Sequence, residues 1–142
     1  MAQNPPEGYR TITPYSVVPD PDAVIAFVEG VMRGRVKERM EGPDGRVTHA
    51  ELIVGDSMLM IGGIGDANPA FPAMLHVYID DVDAVYRRAI ETGATPVREP
   101  EDTFYGDRSG GVTDGQSNQW WFSTHVEDVD PKEMARRAAQ QG

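Results

Sequence analysis

The pentapeptide Asp20-Pro21-Asp22-Ala23-Val24 returns as Asp81-Val82-Asp83-Ala84-Val85 at an offset of 61 residues. Each copy opens a segment with helical periodicity. In the first, Val24, Phe27, Val28 and Val31 stand at i, i+3, i+4 and i+7, which makes one apolar face. Asp20 supplies an N-cap, Pro21 fills the first helical position, and Gly34 is placed for a C-terminal cap. In the second, over 81–92, the face is Val82, Val85, Tyr86, Ala89 and Ile90, with Gly93 as cap. Four matches in five residues are a thin signal alone, but the element order around them also repeats.

Before the first helix, Thr11 to Val18 is β-branched and aromatic, which predicts a strand. After it, Arg35 to Glu41 and Arg46 to Val54 are joined by Gly42-Pro43-Asp44-Gly45, a turn sequence, and Gly55-Asp56 leads into a third strand, Ser57 to Gly62. The second copy runs through Met74 to Ile79, the helix, Thr95 to Arg98, Gly106 to Thr113 and Asn118 to Thr124. The organisation predicted is a flexible lead-in at 1–10, a βαβββ module at 11–62, a linker at 63–73, a second module at 74–125 and a C-terminal segment at 126–142, together one structural domain. That last segment holds a helix opened by Asp130-Pro131-Lys132-Glu133. Its apolar stripe is only Met134 and Ala138, which suits a surface or a partner subunit.

The absence of cysteine rules out disulfides, thiolate metal sites and cysteine nucleophiles. A formal charge of −10 argues against nucleic acid and anionic membranes, which call for a basic surface. No apolar run is long enough to span a membrane, and MAQNPPEGYR lacks the regions of a signal peptide, so a cytoplasmic setting is expected.

Strand parity assigns faces, because neighbouring side chains alternate. Ala50, Leu52 and Val54 belong under a helix, which turns His49, Glu51 and Ile53 the other way. By the same alternation Met58, Met60, Met74, His76 and Tyr78 take the helix-free face, while Trp120 packs and Trp121 does not. The segment GGIG at 62–65 lacks the lysine and the strand-to-helix setting of a phosphate loop.

With this duplicated order, the stretches TPYSVVPDPDAVIAFVEGVM, GPDGRVTHAELIVGDSMLMI and YGDRSGGVTDGQSNQWWFSTHVEDV resemble the vicinal oxygen chelate superfamily. That superfamily includes glyoxalase I, bleomycin-resistance proteins, fosfomycin-resistance enzymes and extradiol dioxygenases, and the motifs are closest to its PhnB-like branch. The resemblance implies an α+β fold in which tandem βαβββ modules form an open, cup-shaped β-barrel with helices outside and a ligand cavity inside. It also implies a homodimer.

Metal-dependent members of that superfamily hold their ion with one residue from each of four strands, mostly His, Gln and Glu. Carried over by motif, those positions fall on Thr13, Met60, Met74 and Trp121. Thioethers suit only soft metals, and a threonine or an indole adds almost nothing, so no metal and no other cofactor is expected. The alternative is a nonstandard divalent-metal set of His49, Glu51 and His76, two histidines and a carboxylate.

The expected lining is Tyr15, Val17, Met58, Met60, Met74, Tyr78 and Trp121, with His49, His76, Tyr105 and Arg108 at its edge. Aromatic and methionine side chains of this kind line small-molecule sites, and they also fill cores. The leading expectation is therefore a metal-independent protein that binds a largely apolar or aromatic ligand. Two others stand beside it: a lyase, isomerase or dioxygenase-type enzyme in which His76 or Glu51 is a general base or a metal ligand, and a noncatalytic dimeric module whose interior is filled.

Overall fold

A computed structural model describes residues 2–66 and 68–141; residue 1 of the expected lead-in, residue 67 of the linker and residue 142 lie outside the described residues. The chain divides into two compact units, one comprising Met1–Ala73 with Asp114–Asn118, the other Met74–Thr113 with Gln119–Gly142.

In the first unit β1 (Tyr15–Val18), α1 (Pro21–Met32), β2 (Arg35–Glu41), β3 (Val47–Val54) and β4 (Ser57–Gly63) follow in sequence. Strand β1 begins four residues later than the β-branched run predicts, directly after Pro14, which has no N–H to give a ladder. Helix α1 starts where the Asp-Pro pair indicates, with the Asp20 carboxylate accepting from the Ala23 N–H at 3.4 Å. It ends on Arg33 in the left-handed region (φ 59°) rather than on Gly34. Gly34 serves a close approach instead: a Cβ there would stand 2.5 Å from Val28 Cγ1.

The strands form one sheet in the order β1-β4-β3-β2, with β1 parallel to β4 and the other pairs antiparallel. Helix α1 packs on β3 and β4, where Val24, Val28 and Val31 meet Ala50, Leu52 and Ile61, all at most 1% exposed. Burial of side chains this size contributes about 1.5–3 kcal/mol each. A polar knot supports the edge of the same unit. Fully buried Asn118 accepts from the Ser16 hydroxyl at 2.6 Å and from the Ala73 N–H at 2.9 Å, and it donates to Asp114 Oδ2 at 3.0 Å.

The second unit repeats the plan with β5 (Met74–Tyr78), α2 (Val82–Glu91), β6 (Thr95–Asp102), β7 (Asp107–Thr113) and β8 (Gln119–His125). Its sheet order is β5-β8-β7-β6, again with the first strand parallel to the last. Matching β1 to β5 and β4 to β8 superimposes the two orders, so the repeat seen at Asp20 and Asp81 is a repeat of topology. Val82, Val85 and Ala89 of α2 form the core with Val112, Trp120 and Phe122. Helix α3 (Pro131–Ala139) buries no residue; Arg137 fastens it by donating to the Phe104 carbonyl at 3.3 Å and to Glu127 at 2.6 Å. The whole is an α+β fold with two four-stranded mixed sheets and three helices.

Candidate functional site

Each sheet has one face under its helix and one face without it, and the expected site residues divide between two helix-free faces, one per unit. On the first, register places Met60 opposite both Tyr15 and Glu51, and Gly62 opposite Val17 and His49. Gly62 has a positional meaning: a Cβ there would come within 2.7 Å of the Tyr15 hydroxyl. The tyrosine ring lies across that bare backbone and hydrogen-bonds His49 Nδ1 at 3.0 Å. On the other side of the imidazole, Nε2 stands 3.7 Å from Glu51 Oε2, with both side chains largely shielded.

The stretch from Pro5 to Thr13 runs over this face. A turn closes with the Tyr9 N–H on the Pro6 carbonyl at 3.0 Å, and Gly8 passes over Met58, leaving that methionine 4% exposed. Met58 is therefore packed rather than open to a ligand. Between this segment and the sheet lies an open cleft of about 390 Å³, lined among others by Tyr9, Arg10, Lys37, Glu51 and Met60. Lys37 reaches it because β2 carries a bulge between Val36 and Glu38, and such a bulge re-aims a side chain.

On the second unit, His76 pairs with Trp121, Met74 with Gln119, and Tyr78 with Ser123. Met74 and Tyr78 are exposed, at 71% and 67%. Trp120, the neighbour of Trp121, is 1% exposed in the core, so the doublet splits between the two faces as alternation requires. Trp121 crosses a glycine in the same manner as Tyr15: a Cβ on Gly111 would stand 2.8 Å from its Cδ2. The indole N–H donates to Gln119 Oε1 at 2.9 Å. The Arg98 guanidinium lies 4.9 Å from the ring centroid, on a residue flanked by two register shifts.

Two expected edge residues lie elsewhere. Arg108 projects from the α2 side of β7, where it makes a bidentate pair with Asp83 at 2.8 and 2.9 Å and a third contact with Asp102 at 3.3 Å. That pairing raises the guanidinium pKa and lowers that of Asp83, and it holds Arg108 on the helix side of its sheet rather than at the edge of the expected lining. Tyr105 sits in the turn between β6 and β7 with its ring edge-on to Phe104.

Sequence reasoning missed Asp107 and His125. They pair across β7 and β8, and the His125 Nδ1 lies 2.7 Å from Asp107 Oδ1 while Nε2 lies 2.8 Å from Asp128 Oδ1. These bonds raise the histidine pKa, that to Asp107 foremost. The Tyr78 hydroxyl donates to the other Asp107 oxygen at 3.5 Å, and the aspartate charge raises the phenol pKa. The available signal was parity, since His125 lies four residues beyond Trp121 on one strand and so shares its face.

The positions onto which the sequence resemblance carries a metal site are Thr13, Met60, Met74 and Trp121, and the chemistry of these side chains does not fit a divalent ion. The Thr13 hydroxyl donates to the Arg10 carbonyl at 3.5 Å, the Trp121 N–H is engaged with Gln119, and the remaining two are thioethers. His49 and Glu51 belong to the first unit and His76 to the second. Among the described residues no group of three or more His, Asp or Glu side chains is arranged to hold a metal ion. Nor, among them, is any helix long and apolar enough to cross a membrane.

Comparison with known proteins agrees with this architecture. An uncharacterized protein of Mycobacterium bovis is 30% identical, with the alignment covering 92% of this chain and 93% of that protein. An uncharacterized protein of Mycobacterium tuberculosis is also 30% identical, covering 92% and 84%. Among solved structures, TioX from Micromonospora superimposes with a TM-score of 0.69 at 24% identity, over 82% of this chain and 99% of that one. A glyoxalase/bleomycin resistance protein/dioxygenase family enzyme from Burkholderia phytofirmans gives 0.66 at 19% identity, over 80% and 97%. Residues 12–122 match the family model directly, and the chain belongs to the Glyoxalase/Bleomycin resistance protein/Dioxygenase superfamily.

Proposed function

We propose that this protein is a metal-independent binder of the glyoxalase/bleomycin-resistance type, holding a largely apolar or aromatic small molecule, such as an antibiotic or secondary metabolite, in a dimer cavity, and that it belongs to the PhnB-like branch. Trp121 carries the proposal. It occupies the position where metalloenzymes of the superfamily present a ligand, and it offers a flat ring there, held by Gln119 and seated on Gly111. An indole fixed in this way is a stacking platform whose ordering cost is met before any ligand arrives. The protein acts as a cytoplasmic homodimer in this reading, a second copy covering the exposed Met74 and Tyr78 of β5.

Fluorescence tests it. Trp120 is buried and serves as an internal reference, so quinoline, naphthol or anthraquinone should quench the Trp121 component in a saturable way. Trp121→Ala should abolish that saturable part. Unchanged affinity in the variant for every compound that binds overturns the proposal.

A second reading has its own observation. Tyr15 and His49 are hydrogen-bonded at 3.0 Å, and Glu51 stands 3.7 Å beyond the imidazole, a row of polar groups that a metal-free enzyme could use as a general base once the last gap closes or a water bridges it. Turnover that survives chelation and is lost in both Glu51→Gln and His49→Gln would establish it.

A further inference from the structure

Arg98, Gly111 and Trp121 stand in one row across β6, β7 and β8, because Gly111 is the register partner of both the others. A side chain on the middle strand would keep the two apart. With none there, the indole lies across the glycine and the Arg98 guanidinium sits over the ring, 4.9 Å from its centroid. A ligand ring that stacks on Trp121 competes with that guanidinium for the same surface.

Arg98 is lightly held elsewhere. Among the described residues its ion-pair contact is Glu101 at 3.4 Å, between side chains 41% and 60% exposed, and pairs this open to water weigh little. Register shifts flank Arg98 on both sides, so no regular ladder fixes its direction. It is also the one Arg or Lys on the helix-free face of this sheet. Strands β5 and β8 carry none, and Arg108 of β7 is bound to Asp83 on the helix side.

The charge of the ligand then decides. A neutral ring that takes the indole leaves the guanidinium without a new partner, and a cationic ring meets like charge. An anionic ring replaces both contacts: its aromatic face covers Trp121, and its carboxylate receives the planar fork of the guanidinium as a bidentate pair.

We infer that the Trp121 platform takes an aromatic carboxylate, and that Arg98 sets this specificity by moving off the indole to pair with the carboxylate as the ring moves on. The inference rests on the proposed function, since it names the class of ligand for the same platform.

Isothermal titration of the full chain at neutral pH tests it with three probes that share one ring system: naphthoate, naphthol and naphthylmethylamine. Naphthoate should bind at least about tenfold more tightly than naphthol, and naphthylmethylamine more weakly than either. In Arg98→Ala, checked for folding by circular dichroism, naphthoate should lose that advantage and naphthol should tighten, because the ring surface is no longer contested. Trp121→Ala should weaken both. Wild-type protein that binds naphthol as tightly as naphthoate, or a preference for naphthoate that survives Arg98→Ala, overturns the inference and leaves the aromatic platform standing. Naphthol and naphthoate binding that is indifferent to Trp121→Ala, or no binding of any probe, overturns the platform and the inference together.

Discussion

Trp121 lies so close to Gly111 that a Cβ built on the glycine would stand 2.8 Å from ring atom Cδ2 and 2.9 Å from Cε3. Gly111→Ala must therefore push the indole off its seat. Overpacking of this kind costs about 1–3 kcal/mol. Urea unfolding should show that loss, and the emission of Trp121 should shift toward that of a solvated indole. Gly62→Ala makes a comparable clash with Tyr15, but that side chain is 45% exposed and free to swing outward. The second substitution should cost less in stability while breaking the bond to His49.

Asn118 is fully buried and answers two donors with one oxygen, Ser16 Oγ and the Ala73 N–H. Asn118→Ala leaves both unpaired, at about 1–3 kcal/mol for each buried group without a partner. Asn118→Asp keeps the acceptor but sets a carboxylate where the amide donated to Asp114 at 3.0 Å. That variant should be the less stable of the two at neutral pH and should recover on acidification. Denaturant melts at two pH values would show the crossover.

His125 predicts a pH dependence with a definite sign. Its hydrogen bonds to Asp107 and Asp128 raise its folded-state pKa above the ordinary 6.5. A group protonated more readily in the folded than in the unfolded state contributes stability that is complete below the unfolded value and lost as pH rises through the folded one. The melting temperature of the wild type, minus that of His125→Gln, should thus be largest below pH ~6.5 and shrink above it. A difference that grows toward alkaline pH would contradict the assignment.

How much of this was legible in the residues depends on whether local or distant chemistry decided each feature. Asp20-Pro21 and Asp130-Pro131 announced their helices because capping is local, and both aspartates do accept from the N–H three residues on. Alternation placed Trp120 in the core because a strand has only two faces. The segment over Met58 gave no such signal: its one large ring, Tyr9, stands among prolines and polar residues with no period to read. Bulges at Lys37 and Arg98 shift register by one residue, which propensity does not record. Arg108 was misplaced for a related reason, since its partner Asp83 lies 25 residues away on α2. Asp107 and His125 are paired by strand register, and no spacing within either strand reveals it.

The proposed site works through an aromatic platform and not through a metal. The most direct measurement is the calorimetric affinity of naphthol or anthraquinone with and without EDTA, in the wild type and in Trp121→Ala. Affinity should be the same in both buffers and fall by about tenfold or more in the variant, the scale of one stacking contact. Binding that disappears with EDTA and returns with a divalent ion, or that is indifferent to Trp121→Ala, would contradict it.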